Sequence, residues 1–340
     1  MASLKDIAQK CGVSVAAVSK ALNGKKDVSN ETKEKVFKAA RELGYCLSAR
    51  TLNATRTYSI GVLFVDESTS GLTHDYYAAV FDGFKKTVED RGYDITFISN
   101  SKKQPFCSTY LEHCRQHGFD GVMLASIDFE SKEVLELVSS DIPLVTIDYI
   151  YNNRVSIMSD NVGGMSELME YIISKGHRKI AYLHGTPSAV TSGRIAGFFR
   201  AAERYGIEIP EEYVMEVPYR DVDATYMATE SLLGLRNPPT CILFSDDFGG
   251  MGGLNAIRAR GLSIPEDISV AGFDGTKALQ YLNPRLTTII QDSETIGKVA
   301  GEKLIGLIES PRTTVVEQVV VPGKLAEGHT VLDITSRKNR

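Results

Sequence analysis

The sequence predicts an all-α helix-turn-helix head followed by an α/β body made of two doubly wound, parallel-sheet subdomains. Three observations indicate this fold class. Two short amphipathic helices separated by a glycine fill the first 23 residues. From Ser59 onward, apolar segments of strand length alternate with amphipathic helical segments. The chain of 340 residues, 43% of them hydrophobic, is long enough for two or three domains.

The predicted helix-turn-helix covers LKDIAQKCGVSVAAVSKALN, residues 4–23. Ser3 and Asp6 have the spacing of a capping box, Gly12 supplies a left-handed residue that ends the first helix, and Ser14 caps the second. The apolar face of the second helix is predicted to contain Val15, Val18, Ala21 and Leu22. In a helix-turn-helix this second helix enters the DNA major groove. An ordinary helical hairpin has the same local pattern, so this stretch alone leaves both interpretations open.

A third helix and a linker complete the N-terminal region. Ser29 caps the third helix, whose predicted buried residues are Val36, Phe37, Ala40 and Leu43. Three helices of this size make one small domain, the head of residues 1–45. The segment 46–58 is too polar for a core and lacks the alternation of a strand. It is therefore predicted to be a hinge segment between the head and the body, residues 59–340.

The body is predicted from a series of apolar strands with helices between them. The predicted strands are residues 59–65, 94–99, 120–125, 143–148, 179–185, 214–219, 240–246, 267–275 and 313–321. Strands that alternate with helices form parallel sheets covered on both faces. Two successive sets of such units indicate two subdomains with a cleft, and ligands of these sheets bind at the carboxyl ends of the strands.

Charge is distributed unevenly along the chain. Residues 1–58 contain eleven Lys or Arg and five Asp or Glu, whereas residues 59–340 contain 27 and 38. A basic N-terminal segment on an acidic body is typical of a DNA-binding head, even though the net charge is −5. A solvated face of a small domain could also be basic. The coincidence with the helix-turn-helix pattern favours DNA binding.

Cysteine usage and hydropathy indicate in which compartment the protein is located and whether it contains a metal or a disulfide. The five cysteines are scattered and contain no CxxC pair, which indicates neither a disulfide framework nor a zinc site. The first ten residues are polar, unlike a signal peptide, and no apolar run reaches the ~18 residues of a membrane span. We therefore expect a cytoplasmic protein with no membrane partner, no metal and no cofactor.

Motifs typical of enzymes are missing from the sequence. The glycines of GGMGG, residues 249–253, follow a strand but lack the spacing of the dinucleotide-binding GxGxxG motif. NGKK at 23–26 is not a P-loop, and the chain contains no HExxH and no GxSxG. The sequence thus predicts that the chain is not an enzyme. The alternative function is a cytoplasmic small-molecule-binding protein, or a sugar-acting enzyme, with an appended helical domain; gel-shift and turnover assays separate these classes.

The sequence resembles the LacI/GalR family, the lactose-repressor-like transcription regulators, over residues 3 to about 332. The similar segments include the helix-turn-helix, VSNETKEKVFKAARELGY (28–45), ARTL (49–52), IGVLF (60–64), DNVGG (160–164), GHRKIAYLHG (176–185), RIAGF (194–198), residues 245–275 and LTTIIQ (286–291). The resemblance implies a hinge helix at ARTL and a body like the periplasmic sugar-binding proteins, whose two subdomains are joined by three crossovers. On that basis the N-terminal subdomain takes about 59–159 plus 290–318, and the C-terminal subdomain about 160–289 plus 319–332.

The resemblance also implies a function. It predicts a homodimeric, sequence-specific transcriptional regulator, expected to be a repressor, that binds a near-palindromic double-stranded DNA operator. Its operator affinity is expected to depend on a small-molecule effector, expected to be a sugar, bound between the two body subdomains.

In the head, the resemblance places Val15, Ala16 and Lys20 against base edges. The two apolar side chains can contact thymine methyl groups or read DNA shape, and Lys20 can donate to guanine; a solvated helix lysine is the alternative for Lys20. The residues suited to phosphate contacts are Ser14, Ser19, Asn23 and Ser29. In the hinge, Leu52 is expected to act as a minor-groove wedge, with Arg50 and Arg56 near phosphates. Packing of Leu52 on the body is the alternative.

In the body, the resemblance assigns Asp148, Arg194 and Asp247 to the hydroxyl groups of an effector. Carboxylates and a guanidinium at strand ends suit that chemistry, and an interdomain salt bridge is the alternative for Arg194. Asp160 and Asp246 are further candidates, with helix capping as the alternative for Asp160. The aromatic candidates for stacking on a sugar ring, for which a core role is the alternative, are Tyr76, Tyr77, Tyr149 and Phe248.

The chain departs from the family pattern at several positions. Cys46-Leu47 replace the usual Pro-Asn, Ala17 replaces a threonine of the second helix, Asp246-Asp247 replace Asn-Asp, and Asp292 replaces a proline. The last two changes lie near the expected pocket. The effector and the operator sequence are therefore not carried over from the family.

Overall fold

The computed structural model describes residues 3–22, 28–43, 56–65, 71–98 and 109–335. Its N-terminal part is a three-helix domain of α1 (Leu4–Cys11), α2 (Val15–Leu22) and α3 (Asn30–Glu42). Gly12 ends α1 with a φ of 66°, which allows its N–H to donate to the carbonyl groups of Ala8 and Gln9. The Ser14 hydroxyl accepts a hydrogen bond of 3.1 Å from the Ala17 N–H at the start of α2. The predicted helix-turn-helix is confirmed.

The three helices enclose one small core. Its buried residues are Ile7, Ala8, Cys11, Val18, Ala21, Leu22, Val36, Ala39 and Ala40. Val15 was predicted on the apolar face of α2 but is 41% exposed. It is the first residue of the helix, and the face that packs into the core begins one turn later, at Val18. The exposed start of α2 is thus free of the core.

The body consists of two sheets with intervening helices. The strands of the described residues are β1 (Ser59–Phe64), β2 (Asp94–Phe97), β3 (Gly121–Ala125), β4 (Leu144–Ile147), β5 (Val155–Ser159), β6 (Ile180–His184), β7 (Val214–Glu216), β8 (Cys241–Leu243), β9 (Ser269–Asp274), β10 (Thr287–Ile290), β11 (Gln318–Val321) and β12 (Lys324–Ala326). The helices are α4 (Asp75–Glu89), α5 (Tyr110–His117), α6 (Lys132–Val138), α7 (Asn161–Ser174), α8 (Ala189–Arg204), α9 (Val222–Leu233), α10 (Asp247–Ala259), α11 (Lys277–Gln280) and α12 (Ser293–Glu309).

Each sheet has six strands among the described residues. The first sheet has the order β11-β5-β4-β3-β1-β2, and all its neighbouring strands are parallel. The second has the order β12-β10-β9-β8-β6-β7, parallel except for the antiparallel pair of β10 and β12. Both orders reverse at an interior strand, which is the doubly wound arrangement that the sequence predicts.

Helices cover both faces of each sheet and bury separate apolar clusters. The first sheet packs against α4 and α12 on one face and against α5 and α6 on the other. The second packs against α7 and α8 on one face and α9 and α10 on the other. Where α4 and α12 cross, a Cβ on Gly83 would overlap the carbonyl of Glu294, and one on Gly297 would overlap that of Val80. Glycine at these two positions lets the helix backbones touch.

Within residues 109–335, the chain passes between the sheets three times. The passages lie between β5 and α7, between β10 and α12, and between β11 and β12. The boundary at the last passage differs from the predicted one, which gave residues 319–332 to the C-terminal subdomain. Val319 and Val321 instead pair with Ile157 and Ser159 in the first sheet. The parallel pairing with β5 holds the chain in the first sheet three residues longer than predicted.

The strand β5 was not predicted from the sequence. Its burial is almost complete, yet Ser156 and Ser159 interrupt the apolar run. The Ser156 hydroxyl is satisfied by the hydroxyl of Thr146 on the neighbouring strand, at 2.9 Å. Among the described residues, no helix combines the length and the apolar character needed to cross a membrane.

Candidate functional site

The exposed surface of α2 carries the residues that were expected at DNA. Ser14, Val15, Ala16 and Lys20 are exposed and Ser19 is half-buried. Positions 15, 16, 19 and 20 lie on one side of the helix, because residues four apart are neighbours on a helix surface. Ser29 is exposed, and its hydroxyl accepts a hydrogen bond of 3.2 Å from the Thr32 N–H as the cap of α3.

Three of the expected DNA contacts, Asn23, Arg50 and Leu52, lie outside the described residues. Arg56, at the end of the hinge segment, was expected near phosphates, but its side chain contacts the body. Its guanidinium donates to the carbonyl groups of Ile308 and Glu309 at the C-terminal end of α12. The Thr57 N–H donates to both carboxylate oxygens of Asp120, at 2.9 and 3.0 Å. The end of the hinge segment is therefore fastened to the first sheet.

A cavity of about 820 Å³ lies between the two sheets. The first subdomain supplies walls from the ends of β3 and β4 and from the start of α4, including Tyr76, Ser126, Asp148 and Tyr149. The second supplies the loop before α8 and the ends of β7, β8 and β9, including Arg194, Tyr219, Arg220, Asp246 and Asp274. The cavity is at the carboxyl ends of the parallel strands, where ligands of doubly wound sheets bind.

Asp148 stands at the end of β4 and is fixed by two donors. The Tyr76 hydroxyl donates to its carboxylate at 2.6 Å, and the Ser159 N–H donates at 3.2 Å. Burial raises the pKa of Asp148 above its ordinary value, against the opposing effect of these hydrogen bonds. Both Asp148 and Tyr76 line the cavity.

Arg194 is the central cation of the cavity and is 3% exposed. Its Nε donates to the Asn161 side chain at 2.9 Å, Nη1 to the Ser245 carbonyl at 2.7 Å, and Nη2 to Asp274 at 3.3 Å. The guanidinium carbon also lies 3.8 Å from the centre of the Phe273 ring. All these partners belong to the second subdomain. Among the described residues, the salt bridge of Arg194 is thus formed within the second subdomain and not between the two.

Asp274 is the acidic partner of Arg194 and was not among the site residues predicted from the sequence. Its carboxylate also accepts a hydrogen bond of 2.7 Å from Gln291, which follows β10. Burial raises the pKa of Asp274 to about 7, although the adjacent Arg194 opposes the shift. The signal in the sequence was an aspartate directly at the end of the apolar strand β9, before Gly275.

Asp247 was expected to contact the effector, but it is not part of the cavity wall. Its neighbour Asp246 lines the cavity instead. Asp247 is 0% exposed and accepts hydrogen bonds from the Thr276 N–H at 2.7 Å and the Thr288 hydroxyl at 2.8 Å. It thus ties β10 and the loop after β9 to the start of α10. Asp246 lines the cavity while it accepts from the Arg220 and Gly249 N–H groups at 3.0 and 2.7 Å.

Two other residues that were expected at the cavity, Phe248 and Asp160, lie outside its wall. Phe248 is not part of the cavity wall, and its ring lies 4.1 Å from the Arg220 guanidinium carbon. Asp160 caps α7 by accepting a hydrogen bond of 2.7 Å from the Gly163 N–H and is not on the wall. Tyr77 and Tyr149 do line the cavity, and Tyr149 stacks on Phe129 with ring centres 4.3 Å apart.

Backbone strain is concentrated at this cavity. Among the described residues, the non-glycine residues with positive φ are Tyr58 (55°), Ser126 (47°), Asp148 (57°), Arg220 (61°) and Asp274 (112°). All of these except Tyr58 line the cavity. Left-handed backbone costs free energy for such residues and clusters at binding sites, where it aims side chains at a ligand. Ser126 and Arg220, which carry no sequence motif, join the candidate site on this ground.

The side chains around the cavity are suited to binding an organic ligand with polar groups. Hydrogen-bond acceptors of Asp148, Asp246 and Asp274, the guanidinium of Arg194 and aromatic faces converge on one cavity. In the described part of the chain, no group of His, Cys, Asp and Glu side chains has an arrangement that could hold a metal ion. A helix-turn-helix on a body with a ligand-sized cavity between two subdomains defines a ligand-responsive DNA-binding regulator.

Comparisons with known proteins agree with this class. The model of the family described as bacterial regulatory proteins, lacI family, matches residues 3–47, and that of the periplasmic binding protein-like domain matches residues 169–331. The probable HTH-type transcriptional repressor ExuR of Bacillus subtilis is 33% identical over 320 residues, which cover 92% of this chain and 93% of that protein. The repressor PurR of Serratia proteamaculans is 31% identical over 342 residues, 98% of each chain.

Solved structures give the same result. The lac repressor dimer bound to operator and the anti-inducer ONPF has a TM-score of 0.79 at 25% identity and covers 97% of this chain and 99% of its own. A complex of the transcriptional regulator CelR with cellobiose has a TM-score of 0.70 at 23% identity, covers 97% of this chain and 100% of its own, and is similar in fold.

The chain belongs to the lacI family of bacterial regulatory proteins. It is a DNA-binding transcriptional repressor whose body binds a controlling effector, and it is not an enzyme. Repressors of this family bind operator DNA and small-molecule effectors and function as dimers.

Proposed function

We propose that the effector of this repressor is a sugar held in the cavity between the two body subdomains. The observation that carries the proposal is the convergence of Asp148, Arg194, Asp246 and Asp274 with several tyrosines on a cavity of about 820 Å³. Vicinal hydroxyl groups suit such a set, since they can donate to carboxylates and accept from a guanidinium at the same time. Aromatic faces suit the apolar face of a sugar ring.

The proposed effector contacts differ in part from those expected from sequence. Asp148, Arg194 and Tyr76 remain proposed contacts. Asp246 and Asp274 replace Asp247 and Phe248, because the former pair lines the cavity and the latter pair does not. Asp247 is proposed to act indirectly, by holding the loop after β9 in place through its bonds to Thr276 and Thr288.

For the DNA side, we propose that the exposed face of α2 reads the operator. Val15, Ala16 and Lys20 are proposed at base edges, and Ser14, Ser19, Asn23 and Ser29 at phosphates. Arg50 and Leu52 keep the roles that the resemblance implies, a phosphate contact and a minor-groove wedge. Two heads on a homodimer would read the two halves of a near-palindromic operator. The proposed site of action is the cytoplasm, where that DNA is found.

The test begins with an operator selected from a random double-stranded DNA library by the full-length protein. The affinity for this operator is then titrated with and without each sugar of a panel of glucose, galactose, ribose and cellobiose. We expect a near-palindromic selected sequence, and release of the operator by at least one sugar. Selection of no sequence would contradict the DNA-binding proposal, and an operator affinity that no panel sugar changes would contradict the sugar proposal.

A matched pair of variants locates the effect. Asp148→Asn keeps a residue that tolerates a φ of 57° but removes the cavity charge, so the response to the sugar should be lost. Asp141→Asn is the control, since its side chain is 90% exposed, away from the cavity, and pairs only weakly with Arg115 at 3.5 Å. An equal loss of response in both variants would contradict the assignment of Asp148.

A further inference from the structure

A buried tyrosine hydroxyl without a hydrogen-bond partner lies behind the cavity wall. Tyr182 belongs to β6, its side chain is 0% exposed, and its Oη has no partner among the described residues. Buried polar groups are almost always paired, and an unpaired one is destabilising. A phenylalanine would fill nearly the same space without this cost. The hydroxyl therefore needs an explanation.

Tyr182 belongs to the apolar cluster on which the Arg194 guanidinium rests. Arg194 and Phe198 are one turn apart on α8 and share a face of the helix. The Phe198 ring centre is 5.1 Å from that of Tyr182. Phe273, which belongs to the same apolar cluster as Tyr182, lies 3.8 Å beneath the guanidinium carbon of Arg194. Tyr182 is not itself part of the cavity wall.

The hydroxyl is within electrostatic reach of the effector site. Burial raises the pKa of Tyr182, and Tyr219, Asp274 and Asp246 raise it further, whereas Arg194 lowers it. The hydroxyl therefore stays protonated and neutral, and its oxygen can accept a hydrogen bond.

Arg194 has N–H groups that the described hydrogen bonds do not use and that could donate to the Tyr182 oxygen. A guanidinium has five N–H donors, and the described contacts use one on Nε, one on Nη1 and one on Nη2. The bond from Nη2 to Asp274 is the longest of the three at 3.3 Å. It is therefore the contact that a competing donor would most easily replace.

We propose that Tyr182 is a positioning residue of the effector site, and that its hydroxyl oxygen accepts an N–H of Arg194 when an effector hydroxyl takes over the Asp274 carboxylate. This proposal rests on the proposed sugar-binding function. Effector binding then gives the buried hydroxyl oxygen a hydrogen-bond donor that it lacks without the effector. Tyr182 thereby strengthens effector binding without touching the effector.

The test compares Tyr182→Phe with Tyr213→Phe in the full-length protein. Tyr213 is the matched control, because it is 1% exposed in the same subdomain but its hydroxyl donates to the Asn237 carbonyl at 2.6 Å. Thermal unfolding is followed with an external dye, since the chain has no Trp. Sugar dissociation constants are measured by calorimetry with the same panel of glucose, galactose, ribose and cellobiose.

We expect opposite results for the two variants. Tyr182→Phe should melt at the same temperature as the wild type or about 2 °C higher without sugar, and should bind the responsive sugar about tenfold more weakly. Tyr213→Phe should melt at a lower temperature and bind the sugar with unchanged affinity. Loss of stability in Tyr182→Phe, or an unchanged dissociation constant, would overturn the proposal.

A third outcome separates this proposal from the one on which it rests. If no panel sugar binds the wild type, the sugar proposal fails. Tyr182 is then judged on the melting temperatures without sugar, where a decrease like that of Tyr213→Phe overturns its role.

Discussion

Replacing Arg194 tests both the stability of the second subdomain and the response to the effector. Arg194→Ala removes hydrogen bonds to Asn161, the Ser245 carbonyl and Asp274. It also leaves Asp274 as a buried carboxylate without its cation. Breaking a buried ion pair from one side costs about 3–5 kcal/mol, and each kcal/mol lowers the melting temperature of a domain of this size by about 2–4 °C. We therefore expect a decrease of roughly 10 °C without effector.

A double variant separates folding from binding. Arg194→Met combined with Asp274→Asn removes both charges and keeps similar volumes, a kind of replacement that is often close to neutral for stability. We expect it to regain part of the lost melting temperature, since Asn161 and the Ser245 carbonyl stay without their donor, but to remain unresponsive to the effector. The assays are dye-monitored thermal unfolding and operator titration with and without the responsive sugar.

Two results would refute this reasoning. A wild-type melting temperature for Arg194→Ala would mean that the buried ion pair contributes nothing to stability. A full effector response in the double variant would mean that the Arg194–Asp274 pair is not part of the binding site.

Three further predictions concern pH and DNA. Burial and the nearby Asp246 raise the folded-state pKa of Asp274 to about 7, against the opposing effect of Arg194. The contribution of this group to stability is therefore present at low pH and is lost as the pH rises from about 4 to 7. The melting temperature of Asp274→Asn, relative to the wild type, should therefore rise between pH 5 and pH 8; a constant difference contradicts this. Lys20→Ala should cost roughly 1–3 kcal/mol at one operator base pair and relax specificity there, as measured by gel shift on single-base operator variants; equal weakening on all sequences would instead indicate a phosphate contact. Leu52→Ala should keep nonspecific DNA binding but lose the preference for the centre of the operator, and unchanged sensitivity to central base changes would refute the wedge.

A strand can be predicted from the sequence where its own residues form a continuous apolar run. β1, β3 and β4 are continuous apolar runs, so they are visible without knowledge of their neighbours. β5 is not, because its buried Ser156 is compatible with a core only through a hydroxyl partner on β4. Such a partner lies across the sheet and cannot be recognised from local sequence.

The candidate site shows the same limit on a finer scale. Asp148 and Arg194 could be assigned because their motifs resemble those of a family. Which of Asp246 and Asp247 faces the cavity depends on Thr288, which is distant in sequence and holds Asp247 inward. Asp274 could have been found as an acidic residue at a strand end, but Asp-Gly is equally typical of a turn. Ser126 and Arg220 could be found only from the structure, through their place in the cavity wall and their backbone conformation.

The interleaving of the two sheets sets the order in which this protein matures during synthesis. The head is complete once residue 42 or so has left the ribosome, and domains fold as units in that order. The first sheet, in contrast, waits for α12 and for its edge strand β11, which ends only at Val321. At about 5–20 residues per second this delay is on the order of tens of seconds. A nascent chain thus presents its DNA-binding surface well before the effector cavity has formed.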